Sequence, residues 1–441
     1  MHLNGKKAFA LTLGCRLNQA DTALIFSRLK EIGFEIIKPA KNSNPDLIII
    51  NTCTVTSNAS SKSRKTVRQF RKLYPNTCIV VTGCDCNNSK KQWDSDPTVD
   101  IVLLNNEKIL LAEKVKKWFE SKINLKITTK KIQKSHEPQK SSNFIFTENA
   151  LASFPFKKRA FLKIQEGCNS FCSYCIVPHV RGPEKSRDSS EIFKEAQTLV
   201  NNGHKEIIIT GVNISSYNDN HYDIISLINK ITDINADFRL RLSSMEPHDK
   251  NFELVDLIKN NNKICRFLHV PIQSASNTIL KKMNRNYSVQ DFQNFINYAK
   301  TQVEGIHLGT DVILGFPGET DELFQETANF LNRIPFANIH VFRFSPRIGT
   351  PAAEFDNQIH NKIVKNRADI IQEIAQTAKF DFFQSQIGHH MDFLIESIKN
   401  NQYAIGVSDN YIKVKIKKIL SPSTQMYSAI LKNDMFYQND N

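Results

Sequence analysis

The sequence predicts an α/β protein made of three consecutive parts. In the first part, short apolar stretches alternate with helix-like stretches, which is typical of a parallel sheet flanked by helices. In the second part, six apolar stretches each lead into a polar or glycine-rich loop, which predicts a partial (β/α)6 barrel. In the last part, apolar and polar residues alternate with period two, which predicts a small antiparallel β-barrel.

The N-terminal parallel α/β domain is predicted over residues 1–120. Helical periodicity covers residues 18–32 and 61–74, between the predicted strands at residues 8–13, 46–51 and 78–82. Each strand runs into a cysteine, and these are Cys15, Cys53 and Cys84. Because ligands bind at the carboxyl edge of a parallel sheet, the three thiols are predicted to converge there. They predict an iron-sulfur cluster that lacks a fourth cysteine ligand.

Cys86 is an alternative ligand, since it lies two residues beyond Cys84 and either thiol can face a cluster. Cys84 is favoured because it repeats the Gly-Cys step seen at Cys15. Cys78 lies at the start of its strand, and Cys265 precedes a strand in the second part. Both are predicted to be structural, since a buried cysteine behaves as a small hydrophobe.

The second part follows a predicted connector over residues 121–156, which is rich in Lys, Ser and Asn. The predicted barrel extends over residues 157–375. Its six predicted strands are residues 160–164, 206–210, 238–242, 266–270, 306–314 and 337–342. Because the loops at the carboxyl ends of barrel strands build the active site, polar residues in these loops are candidates for ligand binding.

The first of these loops carries Cys168, Cys172 and Cys175, separated by three and then two residues. Three thiolates at this spacing can bind three irons of a 4Fe-4S cluster and leave the fourth iron open. The spacing is typical of radical S-adenosylmethionine (SAM) enzymes, in which SAM ligates the open iron. Tyr174 supplies the aromatic residue that usually precedes the third cysteine. The alternative is a structural zinc site with His179 as the fourth ligand.

Composition agrees with a large enzyme that uses iron. The net charge of +14 favours a polyanionic partner, although a generally basic proteome would give the same balance. No apolar run approaches the roughly 18 residues of a membrane span, and the N-terminus lacks a signal-peptide core. These features predict a cytoplasmic protein with no membrane partner. In that compartment, nine cysteines indicate reduced thiols and metal ligands rather than disulfides.

The C-terminal domain is predicted over residues 380–441, with strands at residues 391–396, 403–407, 411–417 and 425–431. Lys413, Lys415 and Lys417 share one face of the third of these strands, an arrangement that suits phosphate groups. The alternative is a solvated face, because lysines also protect sheet edges from association.

Taken together, these motifs resemble the methylthiotransferase family of radical SAM enzymes over nearly the whole chain. The motifs are residues 13–19, 51–54, 82–84, 168–175, 210–213, 242–247, 269–274, 315–320 and 344–351. Residues 164–168, 178–183 and 209–214 are most similar to the branch that acts on N6-threonylcarbamoyladenosine in tRNA. The C-terminal domain resembles the RNA-binding TRAM domain of these enzymes. Two stretches depart from the family pattern, residues 85–87 and 273–276.

The resemblance implies two 4Fe-4S clusters, a SAM cluster on Cys168, Cys172 and Cys175 and an auxiliary cluster on Cys15, Cys53 and Cys84. It also places SAM contacts at the strand-end loops. The residues expected there are Tyr174, Thr210, Gly211, Asn213, Ser243, Glu246 and Gln273. No side chain is predicted to act as a catalytic acid or base. The implied partners are a tRNA anticodon arm and a reductant such as flavodoxin or ferredoxin.

The implied reaction adds a methylthio group to carbon 2 of N6-threonylcarbamoyladenosine next to the anticodon. A 5′-deoxyadenosyl radical removes the hydrogen, the auxiliary cluster presents the sulfur, and a second SAM provides the methyl group. Three alternatives remain open from the sequence. They are a sister enzyme for isopentenyladenosine in tRNA, a sister enzyme for a ribosomal aspartate, and a non-catalytic iron-sulfur protein that binds RNA or transfers electrons.

Overall fold

The computed structural model describes residues 3–39, 43–125, 158–247, 250–399, 402–418, 420–421 and 423–437. The chain forms two compact units. The first comprises Met1–Phe156 with His179–Arg181, and the second comprises Lys157–Pro178 with Gly182–Asn441. Most of the predicted connector, from residue 126 onward, lies outside the described residues. The predicted domain boundaries stay predictions.

The first unit contains a parallel five-stranded sheet in the order β2-β1-β3-β4-β5. Its strands are β1 Lys7–Thr12, β2 Glu35–Ile36, β3 Leu47–Thr52, β4 Cys78–Gly83 and β5 Ile101–Leu103. The helices are α1 Arg16–Glu31, α2 Ser57–Leu73, α3 Cys84–Asn88, α4 Lys90–Asp94 and α5 Leu111–Leu125. The predicted parallel α/β fold of this part is confirmed.

Burial explains why the two central strands are so apolar. Every residue of β3 and β4 is buried, because helices cover both faces of the sheet. One face packs with α1 and α5 around Leu29 and Val115, and the other packs with α2 and α4 around Val67 and Trp93. Strands β2 and β5 are only two and three residues long, too short to show a sequence periodicity.

The second unit begins with six parallel strands in two sheets of three, which confirms the predicted partial barrel. The first sheet contains β6 Arg159–Lys163, β9 Glu206–Thr210 and β10 Arg239–Leu242, and the second contains β11 Phe267–His269, β12 His307–Leu314 and β13 Asn338–Arg343. A short antiparallel pair, β7 Gln165–Glu166 with β8 Lys185–Ser186, flanks the cysteine loop. The sheets meet at a parallel bridge between Leu240 and Ile264.

The short helix α6 Val177–Arg181 follows the cysteine loop, and its residues 179–181 belong to the first unit. The helices that follow the strands of the second unit are α7 Ser189–Asn201, α8 Ile224–Thr232, α9 Lys250–Asn260, α10 Asn277–Lys282, α11 Val289–Gln302, α12 Asp321–Arg333 and α13 Asn361–Ser385. Side-chain caps define several of the starts, as where Asp223 accepts a hydrogen bond from the backbone of Ser226 at the start of α8. No helix among the described residues has the length and apolarity to cross a membrane.

The last part forms an antiparallel four-stranded sheet in the order β16-β15-β14-β17, which confirms the antiparallel pairing of the predicted small β-barrel. The strands are β14 His390–Lys399, β15 Tyr403–Val407, β16 Lys413–Ile416 and β17 Met426–Ile430. In β16 the lysines alternate with buried Val414 and Ile416, so Lys413 and Lys415 share the outer face. Lys417 follows the strand and is exposed.

A buried ion cluster joins the barrel to the terminal sheet. Arg239 and Arg241 both pair with Glu206, with nitrogen–oxygen distances of 2.7 and 3.0 Å, and Glu206 and Arg241 are fully buried. Burial opposes ionisation of Glu206, but the two guanidinium groups hold its pKa well below the ordinary value. Arg239 also donates to the carbonyl of Val407, and Arg241 donates to the carbonyl of Ser408.

We expect Glu206→Gln to destabilise the protein by about 3–5 kcal/mol, because it leaves two buried arginines without a counter-charge. Chemical denaturation, followed through the unfolding transition of the second unit, would measure the decrease in the free energy of unfolding. Glu253→Gln is the matched control, since Glu253 is exposed on α9 and should change stability little. Equal effects of the two substitutions would show that the buried pairing contributes little.

Candidate active site

The structure brings Cys15, Cys53 and Cys84 to the carboxyl edge of the first sheet. Cys15 precedes α1, Cys53 follows β3, and Cys84 begins α3 directly after β4. Burial raises the pKa of the Cys53 thiol to about 11, and the charges of Cys84 and Cys15 add to the increase. These mutual effects require the three thiols to lie near one another, as the predicted auxiliary cluster needs.

A glycine permits the turn that presents Cys84. Gly83 has a φ of +101°, and a Cβ on it would lie 2.4 Å from the carbonyl oxygen of Thr52. Any other residue would be strained in this conformation and would also collide with the neighbouring strand. The Gly-Cys step therefore has a steric cause at this position.

Arg181, which belongs to the first unit, contacts this thiol set. Its Nε donates to the Sγ of Cys84 at 3.2 Å, and its second guanidinium nitrogen donates to Oδ1 of Asn18 at 3.1 Å. The same Oδ1 accepts a hydrogen bond from the Cys15 thiol at 3.2 Å. A cation held this way would offset part of the negative charge that thiolate ligands bring. Residues 18 and 181 lie in the family motifs, but nothing in the sequence assigns them this role.

Cys86 lies in a different environment. It is fully buried among apolar side chains that include Phe9 and Trp93, and burial raises the pKa of its thiol far above the ordinary value. The geometry therefore favours Cys84 over Cys86 as the ligand. Cys78 and Cys265 are also buried, as expected for structural cysteines.

The second thiol set, Cys168, Cys172 and Cys175, lies on the loop between β7 and α6. Burial raises the pKa of Cys175 to about 12, and the charges of Cys172 and Cys168 add to the increase. Gly167 enters the loop with a φ of +68°, and a Cβ there would lie 1.9 Å from the carbonyl oxygen of Pro183. The start of the loop therefore packs closely against Pro183, which follows α6.

The spacing of the thiols distinguishes a cluster from a single zinc ion. Zinc binds sulfur at about 2.3 Å, so its ligand atoms must crowd together. In the described chain, no cysteine belongs to a group of three potential ligands whose donor atoms lie within 4.8 Å of one another. A cubane does not require such crowding, because each thiolate binds a different iron. Within the described residues, the three loop cysteines therefore do not form a ligand group of the size that a single zinc ion requires.

An arginine also contacts the second thiol set. Arg285 donates to the Sγ of Cys172 at 3.3 Å, forms an ion pair with Glu246, and donates to the hydroxyl of Tyr287 at 3.0 Å. The Tyr287 hydroxyl donates onward to the carbonyl of Ile272 at 2.9 Å. Nothing in the sequence predicts a role for Arg285, because it follows α10 outside every recognised motif.

Two of the seven predicted SAM contacts line a cleft beside the cysteine loop. Asn213 and Glu246 face this cleft of roughly 330 Å³, together with Cys172 and Arg285. The Oδ1 of Asn213 accepts a hydrogen bond from the backbone of Glu246 at 3.4 Å. These side chains can offer charged and polar partners to a small zwitterionic ligand.

The other predicted contacts lie near the strand ends but do not line this cleft. Thr210 ends β9 and Gly211 follows it. Ser243 follows β10, and its buried hydroxyl has no hydrogen-bond partner among the described residues. Gln273 has a φ of +65°, and Tyr174 packs in an apolar cluster with Phe316 and Ala352. Their assignment to SAM binding stays a prediction.

Comparison with known proteins places the chain in a family. Residues 162–331 match the model of the radical SAM superfamily, and residues 7–104 match that of the uncharacterized protein family UPF0004. A Bacillus subtilis (strain 168) protein named threonylcarbamoyladenosine tRNA methylthiotransferase MtaB is 33% identical over 92% of this chain and 89% of its own length. A Chlamydia pneumoniae protein of the same name is 35% identical over 91% of this chain and 89% of its own length.

An Ehrlichia ruminantium (strain Welgevonden) protein named tRNA-2-methylthio-N(6)-dimethylallyladenosine synthase is 34% identical over 85% of this chain and 84% of its own length. Among solved structures, the radical SAM methyltransferase TsrM from Kitasatospora setae superposes with a TM-score of 0.54 at 13% identity, covering 80% of this chain and 77% of that protein. At 13% identity, the similarity to TsrM supports the fold alone.

A radical SAM domain with a cysteine loop, joined to a second three-cysteine domain, defines a radical SAM enzyme with an auxiliary cluster. The chain belongs to the methylthiotransferase family of radical SAM enzymes. Its cofactors are SAM and two 4Fe-4S clusters.

Proposed function

We propose that this enzyme adds a methylthio group to carbon 2 of N6-threonylcarbamoyladenosine in tRNA, at the position next to the anticodon. The observation that carries the proposal is the pair of three-cysteine sets, one at the edge of the first sheet and one in the barrel loop. The threonylcarbamoyladenosine specificity of the relatives from B. subtilis and C. pneumoniae supports this choice of substrate.

In this proposal, Cys168, Cys172 and Cys175 hold the cluster that binds SAM, and Cys15, Cys53 and Cys84 hold the auxiliary cluster. When bound, the clusters and SAM supply hydrogen abstraction, sulfur and a methyl group. The chain's own residues orient and shield these groups.

Two arginines have matching positioning roles. Arg181 fixes the Cys84 thiol and, through Asn18, the Cys15 thiol. Arg285 orients Cys172 and holds the carboxylate of Glu246 at the wall of the cleft. An electron must come from an external reductant, for which flavodoxin or ferredoxin is our proposal.

The second candidate substrate is isopentenyladenosine, because relatives such as the Ehrlichia protein carry that specificity. Two anticodon stem-loops that differ only in N6-threonylcarbamoyl or N6-isopentenyl modification separate the candidates. Incubation with reconstituted enzyme, SAM and reductant, followed by nucleoside mass spectrometry, should show methylthiolation of the threonylcarbamoyl substrate. A product from the isopentenyl substrate alone would contradict the proposed specificity.

The proposal requires a surface for the tRNA backbone, and we place part of it on the terminal sheet. Lys413 lies 3.7 Å from Glu396 and Lys417 lies 3.5 Å from Asp434, while Lys415 lies over the ring of Tyr403 at 4.3 Å. These contacts hold the three cations in place without removing their exposure. Phosphate groups would compete for them as counter-ions.

A second basic surface lies on α2 of the first unit. Lys65, Arg68 and Lys72 are exposed on this helix, which has no acidic residue, and none of them forms an ion pair within the described chain. Changing these three residues to glutamine removes three positive charges, as does changing Lys413, Lys415 and Lys417. The α2 surface is therefore the matched comparison for the lysines of the terminal sheet.

We expect changing Lys413, Lys415 and Lys417 together to glutamine to weaken tRNA binding. The slope of log affinity against log salt should fall by up to roughly two or three units, at about 0.7–0.9 per phosphate contact. Filter binding at several salt concentrations measures the slope, and SAM cleavage without tRNA should not change. If the slope stayed unchanged in this variant but fell when Lys65, Arg68 and Lys72 were changed to glutamine, the phosphate contacts would be assigned to α2 instead.

A further inference from the structure

Three polar side chains meet on neighbouring strands of the barrel, and none of them belongs to either thiol set. The Nε2 of His269 on β11 lies 2.8 Å from Oδ1 of Asp311 on β12, and the Nδ1 of His340 on β13 lies 3.0 Å from the same oxygen. All three donor atoms lie within 4.8 Å of one another. The parallel register pairs Asp311 with His340. It pairs His269 with Gly309, which lies two residues before Asp311 on β12.

The backbone makes room for this group. A Cβ on Gly309 would lie 2.6 Å from Nδ1 of His269, so a larger residue would displace the imidazole. Glycine weakens the interior of a strand, and it commonly marks a place where another group approaches the backbone closely. Here the group that approaches is the His269 ring.

Charge and exposure also suit a bound cation. Asp311 brings a carboxylate that is only 21% exposed and lies within hydrogen-bond distance of both imidazoles. Within the described chain, no lysine or arginine pairs with Asp311. The His340 side chain is 53% exposed, which provides an entry path from solvent, whereas that of His269 is 7% exposed.

We propose that His269, Asp311 and His340 bind one divalent first-row transition-metal ion. Two imidazoles and one carboxylate form the donor set of facial sites that leave other coordination positions open. At metal–ligand distances of about 2.1 Å, ligand atoms about 3.0 Å apart subtend roughly a right angle, and the His269–Asp311 and His340–Asp311 pairs have such separations. The remaining positions take water or an oxygen ligand from the solvent side. This site needs neither cluster and is independent of the tRNA specificity.

Metal binding can be separated from the clusters by using the anaerobically reconstituted enzyme, whose cluster thiols are already occupied. Equilibrium dialysis against Mn²⁺ should give one bound ion per chain. Pulsed EPR of that ion should show nitrogen modulation from the imidazole ligands. The clusters do not interfere with this signal, because both are diamagnetic in their oxidised state. Mn²⁺ is the probe because iron and zinc also bind vacant cysteines.

His340→Gln and Asp311→Asn test the site, and His221→Gln is the matched control because His221 is exposed in a loop after β9. Each site variant should weaken Mn²⁺ binding by at least about tenfold, and His340→Gln should also reduce the nitrogen modulation. Iron content and unfolding midpoint report whether each variant is folded. If the unsubstituted enzyme did not bind Mn²⁺, or if all variants bound it equally, the proposal would be overturned and the three residues would form only a hydrogen-bonded group.

Discussion

Replacing Cys168, Cys172 and Cys175 together by alanine is expected to leave about half of the roughly eight irons per chain and to abolish SAM cleavage. The reason is that the three cysteines proposed to bind the SAM cluster all lie on the barrel loop, whereas the other three thiols converge in a separate unit. Iron and sulfide analysis after anaerobic reconstitution measures the first effect. Chromatography of 5′-deoxyadenosine measures the second.

Cys265→Ala is the matched control, because Cys265 is a buried cysteine next to a barrel strand and belongs to neither set. It should retain the full iron content and SAM cleavage. Iron near zero in the triple variant would mean that Cys15, Cys53 and Cys84 bind no cluster of their own. Full iron content in that variant would contradict the assignment of the loop.

The next largest effect is expected for Cys84→Ala, which should abolish methylthiolation and leave some uncoupled SAM cleavage. The auxiliary cluster would lose one of its three cysteines, while the ligands of the SAM cluster stay intact. Nucleoside mass spectrometry of the tRNA product and 5′-deoxyadenosine release, measured in the same reaction, distinguish the two activities.

Cys86→Ala is the internal comparison for Cys84→Ala. It removes a thiol from the apolar core beside Phe9 and Trp93, so it should cost on the order of 1 kcal/mol of stability and retain methylthiolation. If Cys86→Ala abolished the product and Cys84→Ala did not, Cys86 would be the ligand, and the loop after β4 would have to rearrange on cluster binding.

The sequence predicts the fold well where the local pattern is strong. The bounds predicted for Glu206–Thr210 and Tyr403–Val407 agree with the structure, because a run of apolar or alternating residues between polar turns identifies a strand by itself. Strands β2 and β5 are set by pairing with longer neighbours, Glu35 with Lys7 for example, and no local signal marks them.

The same distinction holds for the candidate site. The cysteine sets are visible because their spacing and their positions after strands are local properties of the chain. The contacts of Arg181 with Cys84 and of Arg285 with Cys172 join residues far apart in sequence, so only the folded chain reveals them. The His269, Asp311 and His340 group arises in the same way, from the register of three parallel strands.

The most direct test of the central claim is the nucleoside content of tRNA from cells that lack this gene. We predict loss of 2-methylthio-N6-threonylcarbamoyladenosine, accumulation of N6-threonylcarbamoyladenosine, and recovery when the intact gene is restored but not when the Cys84→Ala gene is restored. Methylthio-isopentenyladenosine should not change. Loss of the isopentenyl derivative with an unchanged threonylcarbamoyl derivative, or no change in either, would contradict the proposed function.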